Sequence, residues 1–408
     1  MSQQTENSLA GNFDQQFIGL ETASAEFVPA LVSLILSEAR RHRASDVHLT
    51  PEQDSLLMYW RIDGVLHRIA AFNKSLSERL VSRLKVLAGL LTYRTDIPQE
   101  GRISREHHAG EVRIATFPVL SGERAVIRLF ADYGQLQQIA NLNMNDDTEQ
   151  ELRQQLQATS GVILICGPSG SGKTTTAYAC LRELVSSCSL PRCVMSLEDP
   201  VEMVLAGVAQ SQVKPAAGFG LATGIRSLMR QDPDVIMIGE IRDAETAEAA
   251  FQAALTGHLV VTTFHAGSAV EALSRLGEMG LDATLIRSVL RLVVCQRLLR
   301  RSCPCDGLPL QPSQGDLEEN IRESSCPQCG GTGFSGRFLL TEHIELQQRD
   351  LAEAVLQRVD AIRFAEISQR AGFTDLASRA RSAVLKGLTT GAEIFRILGR
   401  DGSALNPD

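Results

Sequence analysis

The chain has 408 residues, 44% hydrophobic and 22% charged, with 32 Gly and 14 Pro. This is a globular composition, enough for two to four structural units at roughly 100–200 residues each, and it excludes a disordered or collagen-like chain. A formal net charge of −8 argues against a dedicated nucleic-acid binder, which shows a basic excess or stripe.

Residues 1–22 are polar, lack the basic-then-apolar order of a signal peptide, and read as a flexible tail. No apolar run approaches the roughly 18–20 residues that span a bilayer. The nearest, Phe27–Leu36, is short and flanked by Glu26 and Glu38. The expected location is the cytoplasm, with peripheral membrane association at most.

Residues 23–134 read as an α+β domain. A helix is predicted from about Glu26 to His42, with Phe27, Leu31, Leu34 and Ile35 on one side, and Arg40-Arg41-His42-Arg43 as its solvated end. Two strands are predicted within Ser55–Phe72 around the turn Asp63-Gly64, a helix over Ser77–Ala88, and two strands within Glu111–Leu129 around Ser121-Gly122-Glu123. Residues 135–155, rich in Gln and Asn, read as a linker and leading helix. From 156 to 300, the apolar runs Val162–Cys166, Cys193–Leu197, Val235–Ile238 and Leu259–Phe264 alternate with amphipathic stretches. That pattern predicts a parallel sheet covered by helices on both faces. Residues 301–337 are cysteine-rich. Residues 338–408 form a C-terminal helical region, patterned over Asp350–Leu398.

The octet Gly167-Pro168-Ser169-Gly170-Ser171-Gly172-Lys173-Thr174 satisfies G-x-x-x-x-G-K-[ST] and is followed by Thr175. It lies between an apolar strand and a helix start, the context this motif needs. Glycines let backbone N–H groups turn toward phosphate oxygens, and the helix N-terminus adds partial positive charge. Lys173 is expected on the β- and γ-phosphates of ATP and Thr174 on Mg²⁺.

Hydrolysis also needs metal support and a base. Asp234–Gly239 is an apolar strand delivering Glu240 to its carboxyl end, where ligands bind in parallel sheets, so Glu240 is the candidate base. Glu198 and Asp199 end another run before Pro200 and could hold Mg²⁺ through its waters, or cap a helix. His265 follows the strand Leu259–Phe264 and could bond a γ-phosphate. Cys166, Cys180, Cys188, Cys193 and Cys295 read as small buried hydrophobes. Cys303, Cys305, Cys326 and Cys329 form two doublets that suit tetrahedral Zn²⁺, although the C-x-C spacing of the first makes shared binding harder than C-x₂-C.

Four boxes occur in order: the phosphate loop; Leu197-Glu198-Asp199-Pro200-Val201-Glu202; Arg230-Gln231-Asp232-Pro233-Asp234 through Gly239-Glu240-Ile241-Arg242-Asp243; and Gly257-His258 through His265-Ala266. Together they resemble the type II secretion and type IV pilus assembly ATPases. Arg43-Ala44-Ser45-Asp46-Val47-His48 and Pro98-Gln99-Glu100-Gly101-Arg102 extend the likeness toward the N-terminus. The resemblance implies a homo-hexameric motor, with a PAS-like N-terminal domain before a RecA-like core and ATP between them. It also implies charge-compensating arginines at Arg102, Arg113, Arg226 and Arg230, the last two on one helix face. An inner-membrane platform protein is the implied partner, with no nucleic acid. Relatives that assemble or secrete carry the cysteine segment, and retraction ATPases generally lack it. Only about 25 residues precede the matched N-terminal domain, so the expectation is either a different docking on the membrane partner or a tail that acts as a short adaptor. Alternative readings are a retraction ATPase, a RecA-like nucleic-acid translocase and a nucleotide-binding scaffold without turnover.

Overall fold

The computed structural model describes residues 26–103, 112–129, 138–187, 191–306 and 328–399, with Phe13, Phe17 and Cys326. Apart from those two phenylalanines, the N-terminal stretch read as a tail lies outside the described residues. The chain divides into two compact units. The first holds the described residues up to 129 together with 302–306, Cys326 and 328–336; the second holds 138–301 and 337–399.

In the first unit, helix α1 (Phe27–Arg41) leads into β1 (Ala44–Pro51), β2 (Ser55–Ile62) and β3 (Val65–Asn73). Helix α2 (Ser77–Leu87), β4 (Gln99–Ile103), β5 (Val112–Val119) and β6 (Gly122–Leu129) follow. The six strands form one antiparallel sheet, ordered β3-β2-β1-β6-β5-β4. Both helices bury apolar stripes, among them Leu31, Ile35, Leu80 and Leu84, in one core with Val47, Met58, Trp60, Ile114 and Ile127. Strand β1 escaped the sequence reading, and β4 showed only through the family resemblance of Pro98–Arg102. Central β1 buries the polar Asp46 and His48, and β4 is five residues with a glycine, so neither shows clean alternation. Phe13 is fully buried, its ring 6.0 Å from Trp60 and 6.2 Å from Phe72. The basic cluster is not wholly solvated: Arg41 pairs with Glu38, and the His42 ring lies 5.6 Å from Trp60.

The second unit begins with α3 (Asp146–Leu156), β7 (Gly161–Cys166) and α4 (Lys173–Ser187). Then come β8 (Val194–Glu198), β9 (Ala209–Gln212), α5 (Leu221–Leu228), β10 (Val235–Ile241), α6 (Ala244–Leu255), β11 (Leu259–Phe264), α7 (Ala269–Glu278) and α8 (Ala283–Val289). Its sheet is ordered β13-β12-β7-β11-β10-β8-β9, where β12 is Leu290–Ser302 and β13 is Phe334–Glu345. From β12 through β9 every neighbouring pair is parallel.

Strands β7 and β11 are buried at every position, as expected for a sheet covered on both faces. Val162, Leu164 and Cys166 enter one core, while Ile163 and Ile165 enter the other. Each such apolar side chain contributes about 1.5–3 kcal/mol through burial. The chain closes with α9 (Arg349–Leu356), α10 (Ala361–Arg370), α11 (Leu376–Leu385) and α12 (Gly391–Leu398), within the patterned helical stretch. Buried Glu342 on β13 joins two helix starts, accepting from the Ala269 N–H at 2.6 Å and the Leu376 N–H at 2.8 Å. Among the described residues, no helix is long and apolar enough to cross a membrane.

Cys166, Cys180 and Cys295 are buried as expected, and burial pushes the Cys295 thiol up to about 12. Cys193 is a correction: it is exposed, because it precedes the first buried position of β8. Cys188 lies outside the described residues.

Candidate active site

The phosphate loop joins the buried end of β7 to the first turn of α4. Gly167 has φ 153°, and a Cβ there would collide with the Ser171 hydroxyl and lie 2.7 Å from the Gln296 carbonyl oxygen. Only glycine fits this return. Ser169 and Gly170 are exposed at the tip, Pro168 and Thr175 are half-buried, and Thr174 is exposed on the first helical turn. The first-turn N–H groups of α4 have no intrahelical acceptors, which suits an anion.

Lys173 is buried and folds back across the loop, donating to the Gly167 carbonyl at 2.8 Å and the Pro168 carbonyl at 3.1 Å. Burial lowers its pKa, and the Glu240 charge opposes that shift. The Lys173 Nζ and Glu240 Oε1 atoms are 4.0 Å apart. Glu240 is the penultimate residue of β10, which β11 separates from β7, so a strand-borne carboxylate and the ammonium of the first α4 residue meet at the carboxyl ends of the parallel strands.

Two other predicted residues lie at the same carboxyl ends. The Phe264 carbonyl accepts from the Gly167 N–H at 3.2 Å, which puts His265 beside the start of the loop. His265 is exposed, and its carbonyl accepts from Arg275. Asp199, also exposed, lies 4.0 Å from Arg242 Nη1. Arg242 Nε donates to Glu240 Oε2 at 2.6 Å, and this bond raises the arginine's pKa. Arg242 had not been singled out, although it lies in the quoted Gly239–Asp243 box.

Glu198 is different. It is buried, and both carboxylate oxygens are occupied: Oε2 by the Tyr178 hydroxyl, Oε1 by the Ser196 hydroxyl at 2.5 Å and the Gln210 amide at 3.1 Å. A carboxylate so engaged has little left to offer a metal's waters. Its partners gave no sequence signal, because Gln210 belongs to the unpredicted short strand β9. Gln296 was missed for the same reason: β12 had not been read as a strand. Fully buried, Gln296 donates to the Ser171 carbonyl at 2.7 Å and accepts from the Thr176 hydroxyl at 2.9 Å.

Of the candidate arginines, Arg226 pairs with Glu245 at 2.9 Å on an exposed surface. Arg230 does not share its helix, since α5 stops at Leu228. The Arg230 guanidinium turns back and donates to the Arg226 carbonyl at 3.0 Å. Arg102 and Arg113 belong to the first unit, where β4 and β5 pair them directly opposite each other. Arg113 is in turn opposite Arg128, which bonds Asp46 at 3.0 Å.

The four clustered cysteines gather despite the short spacing of the first pair. Cys303 and Cys326 have sulfurs 3.8 Å apart, Cys305 and Cys329 3.7 Å, and all four sulfurs lie within 4.8 Å of one another. A Zn–S bond of roughly 2.3 Å in a tetrahedron gives an S–S edge of roughly 3.8 Å, so the donor set fits zinc. Each doublet contributes one sulfur to each close pair, which relieves the constraint of a single spacer residue. Backbone N–H groups of Cys329 and Gln328 bring the Cys326 thiol down to about 7, whereas hydrogen bonding with Cys303 raises Cys305 and burial raises Cys329.

Residues 21–396 match the family described as type II/IV secretion system protein. The chain belongs to that family. It is 39% identical over 392 residues to the putative type II secretion system protein E of Escherichia coli K12, covering 93% of this chain and 78% of that protein. It is 36% identical over 406 residues to the type II secretion system ATPase E of Vibrio cholerae, covering 96% and 79%. The solved structure of the Legionella pneumophila ATPase DotB superposes with a TM-score of 0.67 at 20% identity, covering 92% of this chain and 96% of that one, a likeness of fold. The expected α/β class with a RecA-like core is therefore established, and the protein is an ATP-hydrolysing enzyme of this family.

Proposed function

We propose that the chain is a Mg²⁺-dependent ATPase motor. It works at the cytoplasmic face of the inner membrane and drives assembly of a type II secretion pseudopilus or a type IV pilus. The approach of Lys173 to Glu240 at the mouth of the phosphate loop carries this reading, because it joins phosphate binding to a base. Gly167–Thr175 cradle the ATP phosphates. Thr174, and Asp199 through water, hold Mg²⁺, which supplies charge neutralisation when bound. Glu240 takes the proton of a water whose oxygen bonds the γ-phosphorus while the bridging β–γ P–O bond breaks. His265 contacts the γ-phosphate, and Arg102, Arg113, Arg226 and Arg230 offset its charge.

The functional particle is a homo-hexamer whose first units are PAS-like. Their motion on hydrolysis is passed to a membrane platform protein, without nucleic acid. The cysteine quartet, whose sulfurs could hold zinc, supports the assembly branch over retraction. The test is turnover of the full chain with Mg²⁺, alone and with platform protein recovered by pull-down from the native envelope. Stimulation by that partner supports the motor; undetectable turnover in both conditions rejects it.

A further inference from the structure

The buried cluster behind the phosphate loop has no part in the chemistry just described, yet it links two of its components. Tyr178 lies on α4, five residues beyond Lys173, and is 2% exposed. Its hydroxyl donates to Glu198 Oε2 and accepts from the Glu202 N–H at 3.2 Å. Burial, and then the Glu198 carboxylate, push the phenol upward, so it remains a donor. On the far side of Glu198, Gln210 holds the same loop through the Met203 carbonyl at 3.0 Å and the Leu205 N–H at 2.6 Å. Gln212 adds a bond from the Val201 N–H at 3.3 Å. The acidic loop after β8, which starts with Asp199, is thereby fastened to the helix that carries Lys173.

We infer that Tyr178 is a positioning residue for hydrolysis: its hydroxyl clamps Glu198, and that clamp sets Asp199 toward the Glu240–Arg242 pair. Glu198 then acts as a bracket, its two oxygens spent on Tyr178, Ser196 and Gln210, and Asp199 is the acidic group left facing the site. A displacement of α4 on phosphate binding would reach the acidic loop through this hydroxyl. The inference rests on the ATPase reading above.

Tyr178→Phe keeps the ring packed and removes only the hydroxyl, leaving a buried carboxylate oxygen without its donor. The expected result in the full chain with Mg²⁺-ATP is a kcat about tenfold lower, with KM and the affinity for a fluorescent ATP analogue within about twofold of the starting protein. In a double-mutant cycle with Glu198→Gln, the second change should add little to the first. Equal kcat in Tyr178→Phe, or full additivity in the cycle, overturns the inference. So does a loss confined to nucleotide affinity. If Tyr178→Phe fails to fold by circular dichroism, Gln210→Leu carries the same test from the other Glu198 oxygen. An inactive starting protein would count against the ATPase reading itself, whereas an active one with an indifferent Tyr178→Phe counts against the clamp alone.

Discussion

Gln296 and Ser171 are tied side chain to backbone: the Gln296 amide donates to the Ser171 carbonyl at 2.7 Å, and β12 thereby fixes the floor of the phosphate loop. The same side chain accepts from Thr176 on α4, so one buried amide holds both the loop and its helix. Replacing it with Leu strands a carbonyl and a hydroxyl inside the protein. Gln296→Leu should lower unfolding free energy by about 2 kcal/mol and weaken nucleotide binding. Urea unfolding and nucleotide titration check this, and unchanged values in both would show that the loop keeps its shape without the clamp.

Under the proposed mechanism, turnover depends most on Glu240. Glu240→Gln should cut kcat by roughly 10²–10⁴-fold while nucleotide still binds. Steady-state hydrolysis beside equilibrium binding separates the two effects. Turnover equal to that of the starting protein would remove Glu240 from the role of base.

The cysteine quartet should hold about one zinc per chain. Elemental analysis of purified protein reads this directly, and a ratio near zero rejects the site. Chelation, or Cys329→Ser, should lower the thermal unfolding temperature, since metal binding to a preformed site adds to the stability of the fold.

Glu393 is 1% exposed and lies between Arg300, 2.9 Å away, and Arg396, 2.5 Å away. Burial alone would raise its pKa, but the two guanidiniums outweigh burial and lower it. Glu393→Ala leaves Arg300, which is largely buried, without this carboxylate and should cost about 3 kcal/mol. Denaturant unfolding tests this; a loss below about 0.5 kcal/mol would place the cluster with surface pairs.

Stability should fall on mild acidification. Burial holds the His343 imidazole below its ordinary value of 6.5, against the opposing charge of Asp147, while its Nδ1 lies 3.0 Å from the Thr148 hydroxyl. The folded state therefore favours the neutral ring. Its contribution is full above pH 6.5 and is lost as pH drops through the depressed folded value. His42 and His48, lowered chiefly by burial, act in the same sense. Urea unfolding at about pH 7.5 and about pH 5.5 should show the loss, and His343→Asn should reduce it. A pH-independent midpoint would contradict the assignment.

Much of the enzyme can be read in the sequence because its signals are local. The phosphate loop needs glycines and a lysine at set spacing, and the strands that carry it and Glu240 are continuous apolar runs because both faces of the sheet are covered. Those constraints were sufficient to specify the parallel core, the loop and the strand end that carries the candidate base. Strands β1, β9, β12 and β13 were missed because their residues are mixed: they bury polar groups or lie at sheet margins, where periodicity fades. Tertiary structure alone decided what depends on distant segments meeting. It brought Gln296 under a loop more than a hundred residues earlier and spent the Glu198 oxygens on Tyr178, Ser196 and Gln210. It also ended α5 before Arg230 and gathered four sulfurs from two unequal doublets. Hydrogen-bond partners and metal geometry are relations in space, and residue spacing along the chain cannot specify them.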